Sequence, residues 1–225
     1  MNYRIKLHPE TPHRKKIFEI ADELMDGAVS LLPTDSQYAL VCDYKNKKGI
    51  DRIRQIRQLD KKDHLTVMCQ SLEHVSTFAK LSDDNFKIIK RLIPGPYTFI
   101  LPATREVPRL LTHPKKRTVG IRVPDYPICL EVINELGHPL LAITAKIPGV
   151  EHAHPEDGDR ELFLSRFDKV VDLVIDNQEP LSAEETSIID LTGDIPNLLR
   201  EGLGMKNLRE ALTLEGLDLE VGEAV

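Results

Sequence analysis

The sequence predicts an α/β protein built on a mixed sheet with flanking helices, and three observations predict it. Short apolar runs of strand length alternate with segments whose apolar residues recur at helical spacing. Two of these runs, Ala28–Leu32 and Thr118–Val123, stop at a proline beside polar groups, because Pro33 and Pro124 have no N–H to continue a ladder. The runs within 28–43 and 173–191 also come in close pairs, which a purely parallel sheet does not accommodate.

Each element follows from local chemistry. Thr11-Pro12 opens a helix with a capping residue and a proline, Ile17, Ile20, Ala21 and Leu24 make its apolar face, and Gly27 stops it. The strand Ala28–Leu32 leads through Pro33 into Thr34, Asp35, Ser36, Gln37 and Tyr38, and a second apolar run follows to Asp43. Gly49–Leu59 reads as a helix with Ile50, Ile53 and Ile56 inward, and Arg52, Arg54 and Arg57 at or beyond the stripe's borders. Leu65–Cys69 is a short strand. Ser71–Ala79 and Ser82–Ile93 are helices, the second with Phe86, Ile89 and Ile93 on one side.

Pro94-Gly95-Pro96 breaks that helix before the strand Tyr97–Leu101, and Val107–Leu111 is expected to make one helical turn. Thr118–Val123 is a strand, Pro127–Leu136 a helix closed by Gly137, and Leu140–Thr144 a strand. Residues 146–160 are the expected loop. Glu161–Phe167 is helical, Val170–Ile175, Ser187–Leu191 and Leu198–Arg200 are strands, and Lys206–Leu212 is a weak helix in an acidic tail. Without an internal repeat or a linker-like stretch, one domain over 10–204 followed by the tail 205–225 is the simplest organisation.

Composition narrows the function classes. The chain of 225 residues, 41% hydrophobic and 29% charged, reads as a soluble globular protein. No apolar stretch matches a bilayer span and the N-terminus lacks a signal-peptide core, so no membrane partner is expected and the assignment is cytoplasmic. Cys42, Cys69 and Cys129 lie far apart in apolar runs, as reduced core cysteines do. The net charge of −6 is asymmetric: residues 1–150 carry 24 Lys+Arg against 17 Asp+Glu, and residues 151–225 carry 6 against 19. Basic runs at 52–62 and at Lys115, Lys116 and Arg117 suit a phosphate or nucleic acid, or else are solvated faces.

Phosphate-loop, zinc-protease and nucleophile-elbow motifs are absent from the sequence. His152 and His154 with Glu156, Asp157 and Asp159 suit an acidic loop better than a metal site, so no metal site is assigned. What remains is polar groups at strand ends. The bend Thr34–Tyr38 suits a ligand-facing edge or an ordinary turn. Arg122, just before Pro124, suits bidentate binding of a carboxylate or phosphate, or a salt bridge closing the strand. Thr144, Lys146, Ser187 and Arg200 occupy similar positions.

Several stretches, in order over roughly 10–204, resemble the YrdC/YciO family: PTDSQYAL, PGPYTFIL, VGIRVPDYPICLEVINELGHPLLAITA, and TSIIDLTG with LLREG. The resemblance implies a YrdC-like twisted mixed sheet flanked by helices, with a concave basic surface. It implies threonylcarbamoyl-AMP synthase-like activity on L-threonine, bicarbonate and ATP, linked to tRNA modification, with ATP as a substrate, accompanied by Mg2+, and no tightly bound cofactor. Thr34, Tyr38 and Arg122 would then bind threonine; Arg57, Lys62, Thr144, Lys146, Ser187 and Arg200 would meet the nucleotide; Arg57, Lys61 and Arg122 would supply catalytic cations. Where the synthases carry a lysine-x-arginine pair, this chain has Arg57 and Leu59, and where they carry a histidine it has Met68. Their serine-alanine-asparagine becomes Thr144-Ala145-Lys146. These departures resemble the YciO branch. They leave two alternatives open: a tRNA- or double-stranded-RNA-binding module without turnover, and an enzyme acting on another small phosphorylated ligand.

Overall fold

The computed structural model describes residues 3–60, 63, 65–149 and 160–222. The chain forms two compact units, each drawn from two separate segments: 1–60 with 126–183, and 61–125 with 184–225. Among the described residues, both units carry a mixed sheet and flanking helices.

In the first unit the strands are β1 (Tyr3–Lys6), β2 (Ser30–Leu32), β3 (Ala39–Asp43), β7 (Leu140–Thr144) and β8 (Leu173–Asp176). Their order is β1-β8-β2-β3-β7, with β8 parallel to both β1 and β2, and β3 antiparallel to β2 and β7. The helices are α1 (Arg14–Met25), α2 (Lys47–Arg57), α5 (Pro127–Leu136) and α6 (Arg160–Phe167). As expected, α1 buries Ile17, Ile20, Ala21 and Leu24, and it packs against α5. The helix α2 starts two residues earlier than its periodicity suggests, because the Asn46 side chain accepts the Gly49 N–H at 3.1 Å and caps it. Ile50 and Ile53 are buried on this helix, while Ile56 is only partly covered.

In the second unit the strands are β4 (Thr66–Met68), β5 (Tyr97–Pro102), β6 (Thr118–Arg122), β9 (Ser187–Asp190), β10 (Asn197–Arg200) and β11 (Glu220–Val221). Their order is β4-β6-β5-β9-β10-β11, parallel at β4–β6, β5–β9 and β10–β11 and antiparallel elsewhere. Helices α3 (Leu72–Phe78), α4 (Asp83–Leu92) and α7 (Met205–Glu215) complete it, and α4 packs on α7.

The register of α4 corrects the sequence reading. Its Ser82 cap fixes the start, so Asn85, Ile88, Ile89 and Leu92 form the inward stripe, and Phe86 is left 40% exposed. The expected helical turn over 107–111 is an irregular turn instead, with a Leu111 N–H to Pro108 carbonyl bond of 2.9 Å. Strands β1 and β11 were not anticipated: in Tyr3–Lys6 only Ile5 is buried, and β11 is exposed throughout. No helix among the described residues is long and apolar enough to cross a membrane.

Candidate functional site

In the first unit the polar bend between β2 and β3 is tightly built. Pro33 ends β2, and the Thr34 hydroxyl, 1% exposed, donates to the Gln37 carbonyl at 2.6 Å while accepting the Ser36 N–H at 3.2 Å. The Gln37 amide donates to the Ala183 carbonyl. Tyr38 is also 1% exposed; its phenol donates to Asn177 Oδ1 at 2.7 Å, and Asn177 Nδ2 donates to the Tyr126 phenol at 2.9 Å. Burial pushes the Tyr38 and Tyr126 phenols up to about 12, so this relay is neutral at physiological pH. Phe163 packs on the Tyr38 ring at 5.5 Å between centroids. Sequence reasoning did not single out Asn177, which carries no motif, or Tyr126, which lies within the VGIRVPDYP stretch.

Thr144 ends β7 opposite Ala39, and the Ala145 N–H donates to the Tyr38 carbonyl at 2.9 Å. Lys146 is exposed, and its carbonyl lies 3.4 Å from an Arg57 guanidinium nitrogen that donates to it. Much of the basic run on α2 has structural work. Arg52 pairs with Asp172 and donates to the Val170 carbonyl at 2.8 Å, and Arg54 donates to the Asp60 carbonyl at 2.7 Å. Lys61, Lys62 and the histidine-bearing stretch 150–159 lie outside the described residues. Among the described residues no group of His, Cys, Asp or Glu is placed to hold a metal.

In the second unit Arg122 ends β6 in register with Met68 of β4 and is 8% exposed. On β5 and just before β9, Thr98 and Thr186 bring their buried hydroxyls within 3.4 Å of each other. Arg200 at the end of β10 donates to the Thr186 carbonyl at 2.9 Å and the Thr186 hydroxyl at 2.8 Å, and it pairs with Glu185. Ser187 is fully buried; its hydroxyl donates to the Leu203 carbonyl at 2.8 Å and accepts the Gly202 N–H at 3.1 Å. Burial lowers the Arg200 pKa, Glu185 opposes this, and repulsion from Arg122 lowers it further. Arg200 therefore senses the charge of Arg122. Sequence reasoning found Arg122, Ser187 and Arg200 but not Thr98, Thr186 or Glu185, which join them only through the β5–β9 pairing.

Cations beside buried hydroxyls at strand ends are the chemistry that can hold a carboxylate or a phosphate. The family model described as "Telomere recombination", which covers Sua5, YciO and YrdC, matches residues 22–202. The chain belongs to the Sua5/YciO/YrdC family. A protein of Haemophilus influenzae described as uncharacterized is 40% identical over 198 residues, which is 88% of this chain and 94% of that one. The crystal structure of Escherichia coli YciO superposes with a TM-score of 0.83 at 37% identity, over 92% of this chain and all of the other. A threonylcarbamoyl-AMP synthase of Pyrococcus abyssi is 28% identical over 209 residues, covering 92% of this chain but 58% of the synthase. The Sua5/YciO/YrdC fold, mixed α/β with a twisted mixed sheet flanked by helices, is thus the fold of this chain.

Proposed function

We propose that this Sua5/YciO/YrdC protein activates an amino-acid carbamate with ATP, as a threonylcarbamoyl-AMP synthase does. The observation that supports this most is the Arg122–Arg200 pair. Two cations that repel each other in a partly desolvated place are stabilised when an anion reaches them, and a carboxylate and a phosphate are both such anions. In the proposed reaction the amine of L-threonine adds to bicarbonate and loses water. The resulting carbamate oxygen then attacks the α-phosphorus of ATP, and pyrophosphate leaves with the electron pair of the broken P–O bond. No protein nucleophile is needed; alignment and cationic stabilisation of the phosphorus carry the step.

In this reading Arg122 holds the threonine carboxylate, and Arg200, with Ser187 beside it, meets the phosphates. The resemblance adds Thr34 and Tyr38 as amino-acid contacts and Arg57, Thr144 and Lys146 as nucleotide contacts, all carried by the first unit. Mg2+ would arrive with ATP as part of the substrate. Support for this reading comes from the synthase relatives and from the retained residues, whereas Leu59, Met68 and Lys146 point to a slower or altered reaction.

The test is pyrophosphate release from ATP with L-threonine and bicarbonate, with the adenylate identified by mass spectrometry. Threonine-dependent turnover that falls about 10²–10³-fold in Arg122→Ala supports the proposal. If pyrophosphate release is absent, or does not depend on threonine, the proposal fails. A thermal shift with ATP in that case would mark a nucleotide-binding relative with another substrate.

A further inference from the structure

The second unit carries another set of cations, at the opposite strand ends from Arg122 and Ser187. β6 runs from Thr118, opposite Pro102 of β5, to Arg122, about 13 Å further along the strand. At the Thr118–Pro102 end lies an open cleft of about 1200 Å³. Its lining includes five cations, Lys80, Arg105, Arg109, Lys116 and Arg117, against one carboxylate, Glu106. All five are exposed, and none forms an ion pair among the described residues. The rest of the lining is largely apolar, with Pro102, Ala103, Val107 and Pro114.

Three chain segments meet here, and the backbone holds them side by side. Ala103, one residue past β5, forms an antiparallel bridge with Ala79 on one side, and on the other its N–H donates to the Arg117 carbonyl at 2.9 Å. The Lys80 N–H donates to the Pro102 carbonyl at 2.8 Å, and the Thr104 N–H to the Phe78 carbonyl at 3.0 Å. Two interstrand spacings therefore set the Lys80 and Arg117 backbones about 10 Å apart, flanking the small Ala103. The end of the β5–β6 connection is fixed as well. The Arg117 N–H donates to the His113 carbonyl at 2.9 Å, and Nδ1 of His113 accepts the Lys116 N–H at 3.0 Å. These bonds hold Arg117 at φ 54°, a left-handed conformation uncommon for a residue with a Cβ. Both hydroxyls of the lining are committed as donors, Thr104 to the Thr77 carbonyl at 2.7 Å and Thr112 to the Arg109 carbonyl at 3.1 Å. The side-chain donors left for a ligand are the cations.

We propose that this cleft binds a small molecule carrying two or more phosphate groups on a body without an aromatic ring, separately from Arg122 and Arg200. Like charges gathered on a fixed framework repel one another, and a bound polyanion relieves that repulsion. One phosphate meets only part of a set spread over about 10 Å of backbone, whereas two phosphates at the ends of a short molecule reach cations from all three segments. The apolar part of the lining suits the uncharged middle of such a molecule. With no aromatic side chain to stack a base, the lining favours a sugar or aliphatic body over a nucleotide. This assignment does not rest on the synthase reading.

The test is isothermal titration calorimetry of the full chain with fructose 1,6-bisphosphate, compared with glucose 6-phosphate at the same salt concentration. Saturable binding of one bisphosphate per chain, at least about 10-fold tighter than the monophosphate, is expected. Lys80→Ala and the double variant Arg105→Ala, Arg109→Ala remove cations from two separate segments, and each should weaken binding at least about 10-fold. These side chains are exposed, so circular dichroism and the urea midpoint should match the parent's. Arg200→Ala, at the other strand ends, should bind the bisphosphate as the parent does. Absence of saturable binding, equal affinity for the two sugar phosphates, or unchanged binding in both cleft variants overturns the proposal. So does loss of binding in Arg200→Ala with the cleft variants intact, which would put the ligand at the other site. A labelled RNA strand whose binding both cleft variants abolish, and which the bisphosphate does not displace, also overturns it, because the cleft would then hold a polymer. Failure of pyrophosphate release leaves this test intact, since its readout is binding and not turnover.

Discussion

The clamp around Arg200 makes Gly202→Ala the most informative single substitution. Gly202 lies outside the left-handed region, so its need for glycine is one of space. A Cβ there would stand 2.3 Å from the Glu185 carbonyl oxygen and 2.8–2.9 Å from the Thr186 carbonyl carbon and oxygen. An ordinary carbon–oxygen contact is about 3.3 Å, so backbone must move by about 1 Å. The moving segment carries Thr186, which accepts from Arg200, and Ser187, which accepts the Gly202 N–H. Overpacking costs about 1–3 kcal/mol and a stretched hydrogen bond about 1 kcal/mol, offset by about 0.4–1 kcal/mol from the stiffer unfolded chain. The expected net loss is about 1–3.5 kcal/mol, which lowers a urea midpoint by roughly 1 M. Gly137→Ala is the control: its φ is 68° with nothing within 4 Å, so the cost is conformational alone, about 1 kcal/mol. If Gly202→Ala unfolds at the parent's midpoint and keeps the parent's ATP thermal shift, the close approach is not a constraint and the clamp argument is wrong.

Other consequences can be measured on the same material. Tyr38→Phe removes the 2.7 Å bond to Asn177 in a buried relay and should cost about 1–2 kcal/mol in urea unfolding, with Tyr126→Phe smaller because that ring is less covered. For Asp172, burial raises the carboxyl pKa, but the Arg52 guanidinium and the Val29 N–H outweigh it and hold the group below its ordinary value. Its contribution is therefore present above the unfolded value of about 3.9 and disappears as pH falls through the lower folded value. Asp172→Asn should accordingly destabilise at pH 7 and be silent near pH 2; an equal loss at both pH values would refute the charge argument. Burial pushes the Cys42 and Cys69 thiols up, and Cys129 is buried too, so a thiol reagent should react with none of them in the native protein and with all three in denaturant.

Much of the fold was legible because its cues are local. The cap at Ser82, Pro33 and Pro124 ending strand runs, and the apolar face of α1 each needed only neighbouring residues. What was not legible depends on pairing across the chain. Thr98 and Thr186 are 88 positions apart, and only the parallel β5–β9 ladder brings their hydroxyls together. Tyr38 and Asn177 are 139 apart. Arg52 looked like part of a ligand-binding run, yet Asp172, 120 positions away, claims it. The two units were invisible for a related reason. Each is assembled from two segments, so their borders fall at Asp60–Lys61, Asp125–Tyr126 and Ala183–Glu184 without a change in composition. Tyr3–Lys6 has no apolar run to mark it, because an edge strand with one neighbour, here β8, needs little burial.

The departures from the synthase pattern differ in physical weight, and together they argue for weaker threonine binding with reduced rate. Leu59 replaces a cation, but its backbone N–H closes the end of α2 onto the Arg54 carbonyl at 2.9 Å, so the helix end survives the change. Met68 is fully buried beside Arg122, where a thioether offers no donor to a carboxylate. In the proposed reading, Arg122 then carries the amino-acid carboxylate with one helper fewer. Lys146 brings charge back on the nucleotide side, but on an exposed and flexible stem that must be ordered each time it is used. The Arg122–Arg200 pair and the hydroxyl row from Thr98 to Thr186 are held in the ground state by neighbouring strands and their hydrogen bonds. In the proposed reading they bind an anion whether or not it reacts. In the same reading the changes at Leu59 and Lys146 affect groups whose charge would grow in importance as the phosphorus becomes pentacovalent, whereas Met68 removes a ground-state contact to the carboxylate. Uniform binding lowers KM without raising kcat, so a chain with both kinds of change should show slow turnover together with a raised KM for threonine.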